Sequence, residues 1–594
     1  MFKSIPHLLF STIEKYPDNI VFHYYRNGQI GTMTYAELGE QVKNLTHGLM
    51  DLGLTKGDRL AILSYNRPEW AITDFSTFCL QGVVVPVYQT LPANQIEYIL
   101  NDCQARAIVV ENDLQYQKIL EIKKNLSNLE FIITIEDLSD TKSDVTPLSE
   151  LMERGKRHRQ AHSGLFDQNL NTIQSREICT FVYTSGTTGE PKGVMLHHDG
   201  FIKDIVNSEA VLNLYPDDVF LSFLPLSHLY ERLAGHWCPM YRGTGIFYAR
   251  SIETVVEDIA IARPTVMVSV PRLYEKVAAA VYEQVENSPA IKRNLFYWAI
   301  GTGLEYHEQR ISGNVTPWLK RRYQFADKVV FSKIKKKLGG RLRSPIAGGA
   351  PLSVDTLKFF EAIGLRIIEG YGMTETHLII TLTPPGKTKY GSCGKPIKGV
   401  QVKIAADGEV LVKGDTLMEG YYNKPELTSE VIDNDGWLHT GDIGYLDEDN
   451  YLFLTDRKKN IIITSGGKNI APAPIEHALK ASKYIDDVCL VGNGRKFISA
   501  VIIPNYDLLK KYAESVGFAP VNNEELVRNE QIISLIKQEV DQQQSSFASY
   551  ETVKKFILLD QPLSIDKGEI TPSLKIKRDV IEKKYKAPID ALYR

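Results

Sequence analysis

The chain has 594 residues, of which 43% are hydrophobic and 24% are charged, and its formal net charge is −3. This length exceeds what a single hydrophobic core supports, so we expect a globular protein of two or more domains. The slightly acidic charge argues against a globally basic nucleic-acid-binding protein, and we expect no nucleic-acid partner.

The cysteines and the apolar runs indicate where the protein works. Six cysteines are scattered along the chain without a CxxC pair, which argues against a disulfide framework or a zinc site and is typical of a reducing cytosol. No signal peptide is visible, and no uncharged apolar stretch reaches the roughly 18 residues that a membrane-spanning helix needs. We therefore expect a cytoplasmic protein, with peripheral attachment to the inner face of a membrane as the alternative.

The first 175 residues alternate two kinds of pattern. Apolar residues at helical spacing predict helices over 35–54 and 94–100. Short apolar runs predict strands at 59–64, 82–88 and 107–110. This alternation predicts an α/β domain with parallel sheets and ligands near the carboxyl ends of the strands. The polar segment 141–175, dotted with Pro and Gly, is expected to be a loop or a linker.

Segment 183–193, YTSGTTGEPKG, combines glycines, hydroxyls and a lysine between two apolar runs. It predicts strand, glycine loop and strand, with close backbone approach to a phosphate. The P-loop pattern GxxxxGK[ST] fails, because Pro191 takes the place of its second glycine and Gly193 follows the lysine. A flexible surface hairpin is the competing interpretation. The candidate phosphate-binding residues are Thr184, Ser185, Gly186, Thr187, Thr188, Gly189 and Lys192.

This loop resembles the phosphate loop of the AMP-forming adenylating enzymes, which include acyl-CoA synthetases, peptide-synthetase adenylation domains and firefly luciferase. The resemblance implies a large N-terminal α/β domain, residues 1–458, of stacked mixed and parallel sheets with helices, which binds the acid and ATP. It also implies a small mobile α+β C-terminal domain, residues 459–594. Lys192 would then be a catalytic cation.

The run 220–232, FLSFLPLSHLYER, predicts a strand that ends at Pro225 and a turn that carries His228. A core or helix-capping histidine is the ordinary interpretation. The LPLSHxxER form resembles long-chain acyl-CoA synthetases, which implies that His228 lies beside the acyl carboxylate as a catalytic residue. Trp237 is either a core tryptophan or, by the same resemblance, a gate to the acyl tunnel.

Two glycine-rich strand ends follow, at 346–351 and 365–375. Paired glycines let a flat base approach the backbone, and Tyr371 can stack on it. Glu375 offers the hard oxygen that Mg²⁺ prefers, and the resemblance adds Thr184 as a second metal ligand. The segments resemble the family's adenine loop and its YGxTE motif. The nucleotide-binding residues implied are Gly348, Gly349, Ala350, Glu369, Gly370, Tyr371, Gly372 and Thr374.

Asp442 follows a glycine turn, and Arg457 follows shortly after. An ionised aspartate can accept from both hydroxyls of a ribose, and the arginine can donate to the same sugar. A surface hairpin with a salt bridge is the alternative. The two segments resemble the family's ribose aspartate and hinge motif, in which Lys459 is the pivot of the C-terminal domain.

The last segment carries two further glycine- and lysine-containing motifs. The loop 464–469 contains Gly467 and Lys468, which the resemblance assigns to the thiol-transfer step. The family's catalytic lysine maps onto Lys575, although Leu574 replaces the usual glycine and leaves Lys577 as a competing choice. Both lysines would otherwise be solvent-exposed residues at a helix start.

Residues 317–343 contain ten Lys or Arg and one acidic residue, interleaved with aromatic and aliphatic side chains. Such a segment can be a solvated helical face, a membrane-surface helix or a landing surface for an acidic ligand such as CoA. The sequence leaves these three interpretations open.

The resemblance covers essentially the whole chain and implies a long-chain fatty acid:CoA ligase (AMP-forming) that uses ATP, Mg²⁺ and CoA. ATP and the acid would give acyl-AMP and pyrophosphate, and the CoA thiol would then displace AMP. Alternatives are a fatty acyl-AMP ligase that loads a carrier protein, a ligase for aryl or medium-chain acids, and a non-catalytic adenylate-binding relative. The full set of nucleotide motifs argues against the last of these.

Overall fold

The computed structural model describes residues 2–139, 144–184, 190–545, 547–565, 567–571 and 575–594. Contacts between Cα atoms divide the chain into two compact units. The first comprises Met1–Val402, Val412–Leu438 and Leu446–Phe453, and the second comprises Lys403–Leu411, His439–Tyr445 and Leu454–Arg594. The domain boundary between residues 458 and 459 stays a prediction.

The strands, in chain order, are β1 (Ile20–Arg26), β2 (Gln29–Thr34), β3 (Arg59–Leu63), β4 (Val83–Pro86), β5 (Ala107–Val110), β6 (Phe131–Thr134), β7 (Val145–Pro147), β8 (Ile178–Thr184), β9 (Lys192–His197), β10 (Val219–Ser222), β11 (Gly245–Tyr248), β12 (Val266–Ser269), β13 (Ser344–Ala347), β14 (Ile368–Tyr371), β15 (Thr381–Leu382), β16 (Lys395–Pro396), β17 (Val400–Ile404), β18 (Glu409–Gly414), β19 (Gly420–Tyr421), β20 (Leu438–Leu446), β21 (Leu452–Arg457), β22 (Ile462–Ile463), β23 (Asn469–Ile470), β24 (Ile485–Val491), β25 (Ser499–Pro504) and β26 (Lys555–Leu558).

The α-helices are α1 (Ile5–Lys15), α2 (Tyr35–Leu52), α3 (Pro68–Cys79), α4 (Ala93–Asp102), α5 (Asp113–Ile122), α6 (Leu148–Ala161), α7 (Leu165–Thr172), α8 (His198–Leu212), α9 (Cys238–Met240), α10 (Val255–Ala262), α11 (Pro271–Glu286), α12 (Ala290–Ile311), α13 (Pro317–Ala326), α14 (Ser332–Lys337), α15 (Val354–Ala362), α16 (Pro425–Val431), α17 (Pro472–Leu479), α18 (Tyr506–Ser515), α19 (Asn523–Arg528), α20 (Glu530–Gln543), α21 (Arg578–Lys584) and α22 (Lys586–Ala591). Glu231–Trp237 and Asp327–Phe331 are π-helical. None of the helices in the described ranges is long and apolar enough to cross a membrane.

Two large mixed sheets organise the first unit. One has nine strands in the order β16-β15-β14-β13-β12-β10-β11-β1-β2, and the other has eight in the order β19-β9-β8-β4-β3-β5-β6-β7. Their central strands are parallel. Strands β4 and β5 are buried along their whole length, as expected for parallel strands covered on both faces. The predicted α/β class is confirmed.

The segment 141–175 does not form the predicted loop or linker. Its described part contains β7, α6 and α7. Helix α6 meets α2 through glycines: a Cβ atom at Gly155 would lie 1.8 Å from the carbonyl oxygen of Asn44, and one at Gly48 would lie 2.4 Å from that of Leu151. Only Leu148, Leu151 and Gly155 of α6 are buried, and most of its other residues are polar, so the helix has too few apolar positions to stand out in the sequence.

The second unit has its own smaller core. Strand β24 pairs antiparallel with β25, and β25 pairs parallel with β26. Side chains from this sheet pack with α17 and α20 around Leu479, Ile502 and Ile536. A separate four-stranded sheet has the order β17-β18-β20-β21. Helices and a mixed sheet in this region agree with the predicted α+β class.

Candidate active site

The glycine-rich segment lies between two strands, as predicted. Strands β8 and β9 pair antiparallel, and the register places Thr184 opposite Lys192. The candidate phosphate-binding residues Ser185, Gly186, Thr187, Thr188 and Gly189 lie outside the described residues. The pairing brings the hydroxyl and the lysine of the motif to the same end of the hairpin.

A tyrosine that the motif analysis missed connects this lysine to Glu375. Tyr421 lies in β19, which pairs antiparallel with β9 and sets Tyr421 opposite Val194. The Nζ atom of Lys192 lies 4.7 Å from the centre of the Tyr421 ring. The Tyr421 hydroxyl donates to Oε1 of Glu375 at 3.0 Å.

Burial and the charge of Glu375 raise the pKa of Tyr421, so the phenol keeps its proton and remains a donor. Glu375 itself is only 9% exposed and lies in a one-turn 3₁₀ helix, Thr374–Thr376. Tyr421 therefore contacts both charged residues: Lys192 lies over its ring, and Glu375 accepts a hydrogen bond from its hydroxyl. The only sequence signal for it is the aromatic pair after Gly420, which belongs to no motif used above.

His228 lies on a turn, but its strand ends earlier than predicted. Strand β10 stops at Ser222, and the amide of His228 donates to the carbonyl of Pro225 at 2.9 Å. Its Nδ1 accepts from the amide of Tyr230 at 3.1 Å. An Nδ1 that accepts is unprotonated, so a neutral His228 carries its proton on Nε2.

Asn66 holds the turn that carries His228. Its side-chain amide donates to the Leu224 carbonyl at 2.6 Å and to Oγ of Ser222 at 3.1 Å, and its Oδ1 accepts from the Leu226 amide at 2.9 Å. These bonds replace strand pairing after Ser222, which explains why the strand stops before Pro225.

Trp237 belongs to the buried core. Its indole N–H donates to Oδ2 of Asp74 at 3.2 Å. Asp74 forms a buried ion pair with Arg232, whose guanidinium also donates to Oγ1 of Thr180 at 2.9 Å. The arginine lies 4.7 Å from the Trp237 ring. Arg232, the arginine of the LPLSHxxER form, is thus a buried structural residue. The contacts of Trp237 agree with its interpretation as a core tryptophan.

The two glycine-rich strand ends lie side by side. Strands β13 and β14 are parallel, with Ala347 opposite Glu369. Gly348 follows β13, and a Cβ atom there would lie 3.0 Å from Cζ of Tyr230. Gly349 has φ of 82°, which favours glycine. Ala350 is exposed directly after them.

Glu369, Gly370 and Tyr371 lie in β14, and Gly370 and Tyr371 pair with Leu382 and Thr381 of β15. Burial raises the pKa of Glu369 to about 8, although the Leu352 amide opposes this. The structure thus brings the residues predicted to bind adenine to the carboxyl edge of adjacent parallel strands, where ligands of α/β sheets bind.

At Gly372 no side chain is accommodated, since a Cβ atom would lie 1.3 Å from the carbonyl oxygen of Leu378. Thr374 opens the 3₁₀ turn that carries Glu375. The glycine of the YGxTE motif therefore lets the chain turn tightly into the residue predicted to bind the metal.

In the second unit, Asp442 and Arg457 form an ion pair. The Arg457 Nε lies 3.0 Å from Oδ1 of Asp442. Asp442 lies inside β20 and is buried, not in a loop after a glycine turn as the sequence suggested. Gly441 has φ of 70° within this strand, so the glycine makes a local kink without ending it.

Lys575 and Lys459 share the electrostatic surroundings of this pair. Lys575 as a residue is exposed, yet its ammonium group is desolvated locally. This desolvation and the charge of Arg457 lower the pKa of Lys575, and Asp442 opposes them. Desolvation, with Arg457 next, also lowers the pKa of Lys459 to about 8. The structure therefore brings together four of the predicted site residues in one unit.

Gly467 and Lys468 form a turn of their own. Gly467 has φ of 74°, and the Lys468 amide donates to Oγ1 of Thr464 at 3.2 Å. The Nζ atom of Lys468 lies 5.3 Å from the centre of the Tyr550 ring. Their predicted role in thiol transfer stays a prediction.

Comparison with known proteins gives consistent results for the whole chain. A family model described as AMP-binding enzyme matches residues 9–422, and one described as AMP-binding enzyme C-terminal domain matches residues 459–594. The long-chain-fatty-acid–CoA ligase ACSBG2 of Xenopus laevis is 33% identical over 622 residues, which cover 99% of this chain and 83% of that protein. The long-chain-fatty-acid–CoA ligase FadD15 of Mycobacterium bovis is 33% identical over 580 residues, which cover 97% of this chain and 95% of that protein.

Among solved structures, ATP-bound MatB from Rhodopseudomonas palustris matches with a TM-score of 0.70 at 21% identity, over 99% of each chain. At this identity the likeness supports the fold alone. The two family models and the nearly full-length relatives lead to one conclusion: the chain belongs to the AMP-binding enzyme family.

Proposed function

We propose that the protein is an AMP-forming ligase that joins a long-chain fatty acid to CoA. Its family membership and its relatives named long-chain-fatty-acid–CoA ligases support this function. The observation that carries it is the arrangement of Lys192, Tyr421 and Glu375 at the end of the glycine-rich hairpin. Lys192 follows shortly after segment 185–189, whose composition suits phosphates, and Tyr421 links this lysine to a buried carboxylate.

The reaction has two balanced steps. In the first, a carboxylate oxygen of the acid attacks the α-phosphorus of ATP, the new O–P bond forms, and the α–β bridging bond breaks to release pyrophosphate. In the second, the CoA thiol gives its proton to solvent, its sulfur attacks the acyl carbon to form a C–S bond, and the C–O bond breaks so that AMP leaves with the oxygen. Adenylation is needed because a free carboxylate has a poor leaving group.

Charge must be neutralised on the phosphates during the first step. Lys192 would supply one positive charge in the first unit, and Lys575 is the candidate cation at the α-phosphate. His228, with its proton on Nε2, would donate to the acid carboxylate and orient it for attack. Removal of one preorganised donor of this kind typically costs roughly 3 kcal/mol.

The residues present fit a magnesium ion. Across the described ranges, no group of three or more His, Cys, Asp or Glu could hold a metal on its own. Mg²⁺ is usually held by one or two carboxylates together with substrate phosphates, and not by an all-protein cage. Glu375 and Thr184 are the residues that would hold it, and when bound it would neutralise phosphate charge.

The nucleoside would be held by separate sets of residues. Asp442 and Arg457 are poised to bind ribose hydroxyls, since an ionised carboxylate accepts and a guanidinium donates. The glycines at 348 and 349 would let the adenine ring lie on the backbone, with Tyr371 stacked on it. Lys459 and the Gly467–Lys468 turn would serve the change to the thiol step.

The consumption of CoA thiol, measured with acids of different chain length, tests the proposal. We expect thiol loss that requires both ATP and acid and is fastest with long-chain fatty acids. Fastest turnover of a benzoate or a medium-chain acid would support the aryl or medium-chain alternative. Formation of acyl-AMP without thiol loss would overturn the CoA ligase and favour a carrier-protein acceptor.

A further inference from the structure

Helix α13 exposes two large aromatic side chains on one face. Trp318 is 64% exposed and Phe325 is 56% exposed. They are seven residues apart, so they lie on the same side of the helix. Leu319 and Ala326, on another side, are fully buried. The helix is thus attached to the unit by one side and presents its aromatic residues outwards.

The neighbouring helix extends this patch. Trp298 of α12 is 36% exposed, and its ring lies 6.1 Å from that of Phe325, edge to face. The Arg322 guanidinium lies between the two tryptophans, 4.4 Å from the Trp318 ring and 5.8 Å from the Trp298 ring. Trp298 and Phe325 are in ring contact, and Arg322 bridges Trp298 to Trp318. The three exposed rings and this arginine form a contiguous patch, which in a globular protein marks an interaction surface.

The charges on and after α13 are mostly positive, and the arginine of the patch, Arg322, pairs with Glu305 of α12. Lys320, Arg321, Lys328, Lys333 and Lys336 are all exposed. Within the part of the chain that the structure describes, none of these five forms an ion pair. The only acidic residue of 317–343, Asp327, is paired with Lys335. Arg321 and Lys328 lie at helical spacing from Trp318 and Phe325, so they flank the aromatic face.

We propose that this surface, α13 with Trp298 of α12 and the basic residues that follow, docks on an anionic lipid bilayer. Tryptophan and phenylalanine place an apolar body at the boundary between headgroups and acyl chains, and flanking Lys and Arg meet anionic headgroups. A soluble polyanion would satisfy the charges but would leave the aromatic rings in water. A bilayer satisfies both and also dissolves long-chain fatty acids.

Sedimentation with vesicles tests this proposal without ATP, acid or CoA, so its outcome is independent of the proposed reaction. Vesicles of phosphatidylcholine with phosphatidylglycerol are compared with pure phosphatidylcholine. We expect binding only to the anionic vesicles, and it should weaken between about 0.1 M and about 1 M salt because the screening length falls from about 10 Å to about 3 Å.

A charge variant and a matched control locate the binding. Each Lys or Arg near an anionic membrane contributes about fivefold, so the triple variant Arg321→Gln, Lys328→Gln, Lys333→Gln should bind about 100-fold more weakly. The control carries the same change at three exposed lysines elsewhere, Lys124, Lys511 and Lys537. Equal loss in both triple variants would overturn the assignment, because only net charge would then matter.

An aromatic variant separates a bilayer from a soluble polyanion. Trp318→Ser with Phe325→Ser should weaken binding to anionic vesicles and leave binding to heparin unchanged. Leu114→Ser with Ile252→Ser changes two other exposed apolar residues and should do neither. If the aromatic variant bound vesicles like the wild type, or if the wild type bound heparin but no vesicles, the bilayer would be excluded as the partner. ATP- and acid-dependent acyl-AMP formation should persist in all four variants, which shows that they are folded.

Discussion

Replacement of Tyr421 by phenylalanine tests how the carboxylate of Glu375 is held. The change keeps the aromatic ring, whose centre lies 4.7 Å from Nζ of Lys192. It removes only the hydroxyl, which donates to Glu375 at 3.0 Å. A hydrogen bond to a charged group contributes about 1.5–3 kcal/mol, which corresponds to about 10- to 150-fold. Loss of a residue that hydrogen-bonds a metal-ligating carboxylate typically costs about 10- to 100-fold in affinity or activity. The two ranges agree.

The assay is the initial rate of pyrophosphate release as Mg²⁺ is titrated at fixed ATP and acid. We expect Tyr421→Phe to need about 10- to 100-fold more Mg²⁺ or to lose a similar factor in rate. Tyr421→Leu should lose more, because the contact of Lys192 with the aromatic face disappears as well. Tyr422→Phe is the matched control, since the ring of this neighbour packs on Phe181. An unchanged magnesium dependence in Tyr421→Phe would refute a supporting role for Tyr421.

Three further predictions address other parts of the site. Lys575→Ala should abolish acyl-AMP formation and largely preserve thioester formation from synthetic acyl-AMP and CoA; selective loss in Lys577→Ala instead would show that Lys577 is the catalytic lysine. Asp442→Asn should raise the ATP concentration for half-maximal rate about 10- to 150-fold, because the proposed charge-assisted bonds to the ribose would be lost. A normal ATP dependence with a lowered melting temperature would show that the pairing of Asp442 with Arg457 is structural. Burial raises the pKa of Glu231 from 4.5 to about 8. Between these pH values the folded protein binds more protons than the unfolded chain, so its stability falls as pH rises. Glu231→Gln should lessen this fall in melting temperatures measured across the pH range, and a pH profile identical to that of the wild type would contradict the prediction.

Short buried strands were the most predictable elements. The runs at 59–64, 82–88 and 107–110 became β3, β4 and β5, because parallel strands covered on both faces need continuous apolar side chains. Helix α2 followed its apolar periodicity from Tyr35. In these elements the buried positions are occupied by apolar residues, so the pattern of apolar residues in the sequence indicates the strand or helix.

Other features depend on contacts that one segment does not reveal. Helix α6 was not predicted because most of its residues are polar, and one of its three buried positions is Gly155, which contacts the backbone of α2 without an apolar side chain. Asp442 looked like a loop residue because Gly441 usually ends an element, whereas here it kinks a strand. Tyr421 was missed because its importance arises only from pairing of β19 with β9, far apart in sequence.

The motif residues themselves were easier to identify than their surroundings. Ala347, directly before Gly348, lies opposite Glu369 in parallel strands, at the sheet edge where the glycine-rich pattern placed a nucleotide. In contrast, no pattern showed that Asn66 holds the turn of His228, because a single asparagine carries no signal of its distant partners.

Product analysis tests the two-step adenylation most directly. The protein is incubated with ATP, Mg²⁺ and a long-chain fatty acid, first without CoA and then with CoA, and the nucleotides and phosphates are separated. We predict acyl-AMP and pyrophosphate before CoA is added, then AMP and acyl-CoA in equal amounts afterwards. Formation of ADP and inorganic phosphate, or of acyl-CoA without an adenylate intermediate, would contradict this mechanism.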